Sequence, residues 1–91
     1  MDLVVDSGAT KADWIALDNN GKIAFSTQTL GLNPHVLTTS ILRERIINNF
    51  EIFKNRKNFK NIYFYGAGCG VKTSIERMYR VFDDIFENCK F

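Results

Sequence analysis

Little in this chain would tie it together covalently or through a metal: it has two cysteines and one histidine in 91 residues. Cys69 and Cys89 form no CxxC pair, so neither a disulfide framework nor a zinc site is indicated, and both are expected as reduced, partly buried thiols. Charge of one sign is equally scarce. Twelve basic and ten acidic residues are mixed along the chain for a net +2, too weak a field to mark a nucleic acid or an acidic membrane as partner. Long apolar runs are missing too. The opening MDLVVDSGATK has only Leu3-Val4-Val5 between acids, short of a signal-peptide core, and no stretch approaches the ~20 apolar residues of a membrane span. A soluble, cytoplasmic protein is expected, without repeats, linkers or low-complexity segments. What is present, 45% hydrophobic and 13% aromatic residues, fits one small domain with a single core.

The patterning then orders the elements. Leu3-Val4-Val5 is a β-branched run closed by Asp6-Ser7-Gly8, and Ala12 to Leu17 alternates Asp13, Ile15 and Leu17 against Ala12, Trp14 and Ala16. Asp18-Asn19-Asn20-Gly21 supplies turn residues that tolerate positive φ, and Ile23, Phe25, Thr27 and Thr29 alternate after it, which predicts a three-stranded meander. Asn33 is placed to cap a helix beginning at Pro34, with Leu42, Ile46, Phe50 and Phe53 at helical spacing, joined by Val36, Leu37, Ile41 and Ile47. Lys54, Arg56, Lys57 and Lys60 fall where that helix would end. Ile62-Tyr63-Phe64-Tyr65 reads as a fourth strand. After it, Thr73-Ser74-Ile75-Glu76 has capping-box spacing, and Ile75, Met78, Phe82, Ile85 and Cys89 form a helical stripe. The expected fold is α/β, in the order β-β-β-α-β-α. The long crossover makes the fourth strand parallel to the first, in a mixed sheet.

Three glycine-rich segments are candidate sites. In Asp6-Ser7-Gly8-Ala9-Thr10-Lys11, Gly8 lets the backbone approach a ligand while amides, Thr10 and Lys11 aim donors at one place, which suits phosphate; Asp6 suits Mg²⁺ held through its water shell. A plain hairpin turn capped by Asp6 accounts for the same residues. In Gly31-Leu32-Asn33-Pro34-His35, Asn33 as a helix cap and His35 as a first-turn residue need no ligand. Gly66-Ala67-Gly68-Cys69-Gly70-Val71-Lys72-Thr73 invites comparison with a P-loop, but GxxxxGK[ST] demands glycine immediately before the lysine, and Val71 stands there; the glycines also miss GxGxxG spacing. A close-approach loop at the carboxyl end of a parallel strand fits better, with Gly66 and Gly68 lining the same cleft as the first turn.

The D-x-G-x-T-K pattern from Asp6 to Lys11, followed by a strand, the Asn20-Gly21 turn and another strand, resembles the first phosphate motif of the superfamily of sugar kinases, actins and heat-shock chaperones. Ser7 and Ala9 stand where sugar kinases often carry glycine. Gly31-Leu32-Asn33-Pro34-His35 and Ile62 to Cys69 are more narrowly similar to N-acetylglucosamine kinases and to the activator ATPases of benzoyl- and acyl-CoA reductases and dehydratases. The resemblance implies a ribonuclease H-like, actin-like ATPase fold of which this chain forms the first part of the first lobe. ATP and Mg²⁺ would bind between two lobes, Gly8, Thr10 and Lys11 would hold phosphate, and Asn33 and His35 would reach sugar hydroxyls. The second phosphate loop and the catalytic aspartate are expected beyond residue 91. The expected function is that of an N-terminal part of an ATP-dependent kinase for N-acetylglucosamine or a related amino sugar, inactive as 91 residues alone. An ATPase that activates an iron–sulfur enzyme is the alternative, though Cys69 by itself cannot hold a cluster. A non-catalytic isolated domain is a third reading. Exposed edges and apolar helix faces also predict a homodimer, or packing against a C-terminal part.

Overall fold

A computed structural model of the chain describes residues 1–91 apart from Ala67 and Cys69. Strands β1 (Asp2–Ser7), β2 (Lys11–Leu17) and β3 (Ile23–Leu30) form the expected meander; α1 (Thr39–Ile47), α2 (Phe50–Lys54), β4 (Asn61–Gly66) and α3 (Lys72–Ile85) follow. The sheet runs β3-β2-β1-β4, with β1 antiparallel to β2, β2 antiparallel to β3, and β4 parallel to β1 as the crossover argument requires.

Strand alternation decides which face is buried. Leu3, Val5 and Ser7 on β1, and Ala12, Trp14 and Ala16 on β2, lie on the face that packs with Leu42 and Ile46 of α1 and Met78, Val81, Phe82 and Ile85 of α3. Ile62 and Phe64 extend this face on β4, and Phe64 sets its ring edge-on to Phe82. Val4, Asp6, Asp13, Ile15, Tyr63 and Tyr65 project the other way, where the described residues supply no covering helix; Tyr65 is 63% exposed. The site residues on β1 and β2 open onto this bare face.

The β2–β3 turn is held by the Asp18 carboxylate, which accepts from the Asn20 and Lys22 amides, and in it only Gly21 has a positive φ, 77°. The alternation expected from Ile23 fails there. Leu17 pairs with Ile23 but Ala16 with Phe25, so one extra residue is accommodated and Ile23 turns to the bare face, 64% exposed.

The helix expected from Pro34 is not continuous. Asn33 caps a single turn only, its carbonyl accepting from Val36 and Leu37, and α1 begins afresh where the Thr38 hydroxyl accepts from the Ile41 amide. A second break follows at Asn48-Asn49. Asn49 caps α2 by accepting from Ile52 and donates its amide to the Thr27 hydroxyl and the Gln28 carbonyl of β3. The break rotates the apolar stripe, so Ile46 and Ile52 are buried while Val36, Phe50 and Phe53 are exposed. The capping box at Thr73 does not form either. Helix α3 starts two residues earlier than that box implies, at Lys72, with Val71 as an N-cap that offers no side-chain bond, and its buried stripe is Ser74, Met78, Val81, Phe82 and Ile85.

Candidate functional site

Strand β1 ends at Ser7 and β2 begins at Lys11, so Gly8, Ala9 and Thr10 carry the turn, closed by the Gly8 amide donating to the Lys11 carbonyl at 2.9 Å. Asp6, Gly8, Ala9, Thr10, Lys11 and Asp13 line one open hollow of about 350 Å³. The residues expected to hold phosphate and the carboxylate expected to hold magnesium therefore share a space. Alternation produces this, because Asp6 on β1 and Lys11 and Asp13 on β2 point to the same face, with Asp6 directly across from Asp13. Asp13 also accepts from the Gln28 amide at 2.7 Å, which fixes its side chain along β2.

The donor chemistry fits a hard cation kept in its water shell. Asp6 and Asp13 offer carboxylate oxygens to the hollow, the hard donors that a magnesium ion takes through its waters. Gly8 is informative for what it does not do. A Cβ placed on it would meet only the Lys11 carbonyl oxygen, at an ordinary 3.5 Å, and its φ is not positive, so the turn itself does not require glycine.

Gly31 is the opposite case. A Cβ there would lie 2.6 Å from the carbonyl oxygens of both Gly8 and Ala9, and its amide donates to the Thr10 carbonyl at 2.9 Å. The segment that follows β3 thus rests directly on the back of the Gly8–Thr10 turn. Ser7, alternating away from Asp6, is 4% exposed; its hydroxyl accepts from the Leu32 amide at 2.8 Å and donates to the Leu32 carbonyl at 3.2 Å. Two arginines secure the same segment from the helices. Arg45 of α1 donates to the Gly31 carbonyl at 2.6 Å, and Arg77 of α3 donates to the Pro34 carbonyl at 2.6 Å and to that of Leu37.

This segment carries the expected sugar contacts. Asn33 accepts from the His35 amide through its side-chain oxygen at 3.0 Å, and His35 is exposed. Gly68 is brought against both: with φ at +79°, a Cβ on it would overlap the Asn33 carboxamide and crowd the His35 Cβ. Asn33, His35 and Gly68 therefore form one cluster. Gly66 pairs with Ser7 across the parallel strands, and the Phe64 ring fills the space its side chain would take, which explains that glycine by packing. The cluster and the hollow at the Gly8–Thr10 turn are joined through Gly31, without sharing a lining residue.

The chain superimposes over 99% of its length, with a TM-score of 0.84 and 26% identity, on the crystal structure of a candidate N-acetylglucosamine kinase from Porphyromonas gingivalis. The fold is that of an actin-like ATPase N-terminal lobe. This lobe segment spans 32% of the matched protein, its N-terminal third. No protein-family profile and no curated protein sequence matches it.

Of the candidate residues, Asp6, Gly8, Thr10 and Lys11 lie together in the hollow, Asn33, His35 and Gly68 lie together in a separate cluster, and Gly66 belongs to neither. The segment compared with a P-loop includes Ala67 and Cys69, and the thiol expected at Cys69 is with them outside the described residues. Sequence reasoning passed over Asp13, Ser7, Arg45 and Arg77, and gave Gly31 no role. Asp13 was within reach, since it sits two positions from Lys11 on an alternating strand. The others act on partners far along the chain.

Proposed function

We propose that the chain carries the first phosphate turn and part of the sugar pocket of an ATP-dependent kinase acting on N-acetylglucosamine or a related amino sugar. The observation that carries this reading is the match over nearly the whole chain to a candidate N-acetylglucosamine kinase. Gly8 is compatible with it, since packing does not require a glycine there. In this reading the bare backbone at Gly8 leaves room for a phosphate to approach the turn's amides closely.

In this reading Lys11 and the amides around Gly8 and Thr10 hold nucleotide phosphate, while Asp6 and Asp13 orient the waters of a bound Mg²⁺. The metal, when bound, supplies charge neutralisation for phosphoryl transfer. Asn33 and His35 direct hydrogen bonds to sugar hydroxyls. The proton-accepting aspartate comes from the part of such an enzyme that this chain does not span. Because phosphoryl transfer depends on positioning and electrostatics supplied from both lobes, the 91 residues alone are expected to turn over no substrate.

The test is ADP release from ATP and Mg²⁺ by the longest polypeptide containing this chain, with N-acetylglucosamine, with other hexoses and without sugar. Release that requires N-acetylglucosamine supports the kinase. Slow release indifferent to every sugar sinks it and favours an activator ATPase. Gly8→Ala in the same protein is expected to raise the KM for ATP on the order of tenfold, about 1.4 kcal/mol, with the sugar KM little changed.

A further inference from the structure

We propose that Arg77 is a positioning residue for the sugar-facing turn: α3 holds Asn33 and His35 in place through the Arg77 guanidinium. For its substrate this rests on the amino-sugar kinase reading above. Within the turn the His35 amide donates to the Asn33 carboxamide oxygen, and its other internal bonds are as local. Two amides, Val36 and Leu37, converge on one acceptor, the Asn33 carbonyl, and the chain leaves the turn for α1 immediately afterwards. Its own carbonyls at Pro34 and Leu37 both receive the fork of Arg77, from more than a full strand and helix away in sequence. A planar guanidinium can span two such acceptors at fixed separation, which a single ammonium cannot.

The segment that carries Arg77 also carries the other wall of the cluster. Gly68 precedes α3 and touches the Asn33 carboxamide, while Arg77 lies within α3 and bonds the carbonyls beside it. The β4–α3 segment therefore grips the turn at two points. The Gly8–Thr10 turn is contacted by the earlier part of the segment, the Gly31 amide donating to the Thr10 carbonyl and the Leu32 amide to the Ser7 hydroxyl, which Arg77 does not bond. Loss of the Arg77 fork should thus displace the sugar contacts and leave the phosphate contacts where they are.

The experiment uses the longest polypeptide containing this chain with Arg77→Met and Arg77→Lys, and Arg43→Met as a control on an exposed arginine of α1. Arg77→Met is expected to raise the KM for N-acetylglucosamine on the order of tenfold, with the KM for ATP within about twofold. It should also speed amide exchange at Val36 and Leu37 and not in β1 or β2, with Arg77→Lys intermediate in both readouts and Arg43→Met like the wild type. Equal rises in both KM values, or an unchanged sugar KM, overturn the proposal. If the wild-type protein shows no sugar-dependent turnover, the kinase reading fails separately. Exchange then decides on the Arg77 fork, and protection of Val36 and Leu37 in Arg77→Met equal to wild type overturns the proposal. Should Arg77→Met fail to fold, Arg77→Lys carries the same comparison.

Discussion

Gly8 and Gly31 lie against the same turn and should behave in opposite ways. Gly31→Ala forces a methyl to 2.6 Å from two backbone oxygens that have no side-chain freedom to retreat, so a loss of about 2 kcal/mol or more is expected. Gly8→Ala meets nothing closer than 3.5 Å and should stay within about 0.5 kcal/mol of wild type. Urea unfolding followed through the single tryptophan measures both, since Trp14 is fully buried and bonded to the Thr29 hydroxyl. Equal destabilisation by the two would contradict the packing described. At Cys89, burial first and the Asp2 carboxylate second push the thiol above its ordinary value of 9.0, against the smaller opposing effects of the N-terminal ammonium and a backbone bond at Lys90. The folded state thus favours the protonated thiol; the associated stability is complete below the unfolded pKa and is lost as pH rises through the folded one. Alkylation of Cys89 in the folded protein should accordingly lag that of a free thiol at pH 9.0 and catch up only in more alkaline solution. At this scale the grouping of Asp6, Gly8, Thr10 and Lys11 in one hollow was legible because their segment is local. Ser7 and Arg77 were not, because the hydroxyl and guanidinium are explained only by carbonyls and amides far along the chain.

Asn49 shows how one residue breaks a helix that periodicity would run straight through. Its side chain caps α2 and at the same time ties that helix to β3, so the chain gains more from stopping and restarting than from continuing one stripe. Asn49→Ala should therefore cost about 1–2 kcal/mol in urea unfolding, the upper part of what a lost N-cap costs, because the bonds to β3 go with it. The Arg43–Asp84 ion pair between α1 and α3 contrasts with it. Both side chains are well exposed, at 37% and 48%, so water and salt screen the pair, and Arg43→Met should change stability by less than about 1 kcal/mol. The expected helix from Pro34 failed at this scale for a related reason. Asn33, Thr38 and Asn49 are each competent to cap, and spacing alone does not say which of them does.

The whole molecule is a sheet covered on one side. Leu30, Tyr63 and Tyr65 are prominent on its uncovered side or edges, at 61%, 48% and 63% exposed. The outer edge of β3 is partly occupied by Asn49, and on the outer edge of β4 Lys90 pairs in parallel with Asn61 and exchanges backbone bonds with Lys60 and Ile62. The remaining edge and the bare face predict concentration-dependent self-association of the 91 residues in sedimentation, weakened by Tyr65→Lys; a strictly monomeric chain at high concentration would refute this. Among the described residues no helix is long and apolar enough to cross a membrane. The sequence by itself determined the element order, the parallel fourth strand, the buried alternation of β2 and the gathering of Asp6, Gly8, Thr10 and Lys11, because period and turn chemistry act over a few neighbouring residues. Only the tertiary structure decided where the helices break, that Gly31 rests on the Gly8–Thr10 turn, and that Gly68, Arg45 and Arg77 reach the segment from Gly31 to Leu37. Those are contacts between segments distant in sequence, and they exist only once the sheet and its helices have packed.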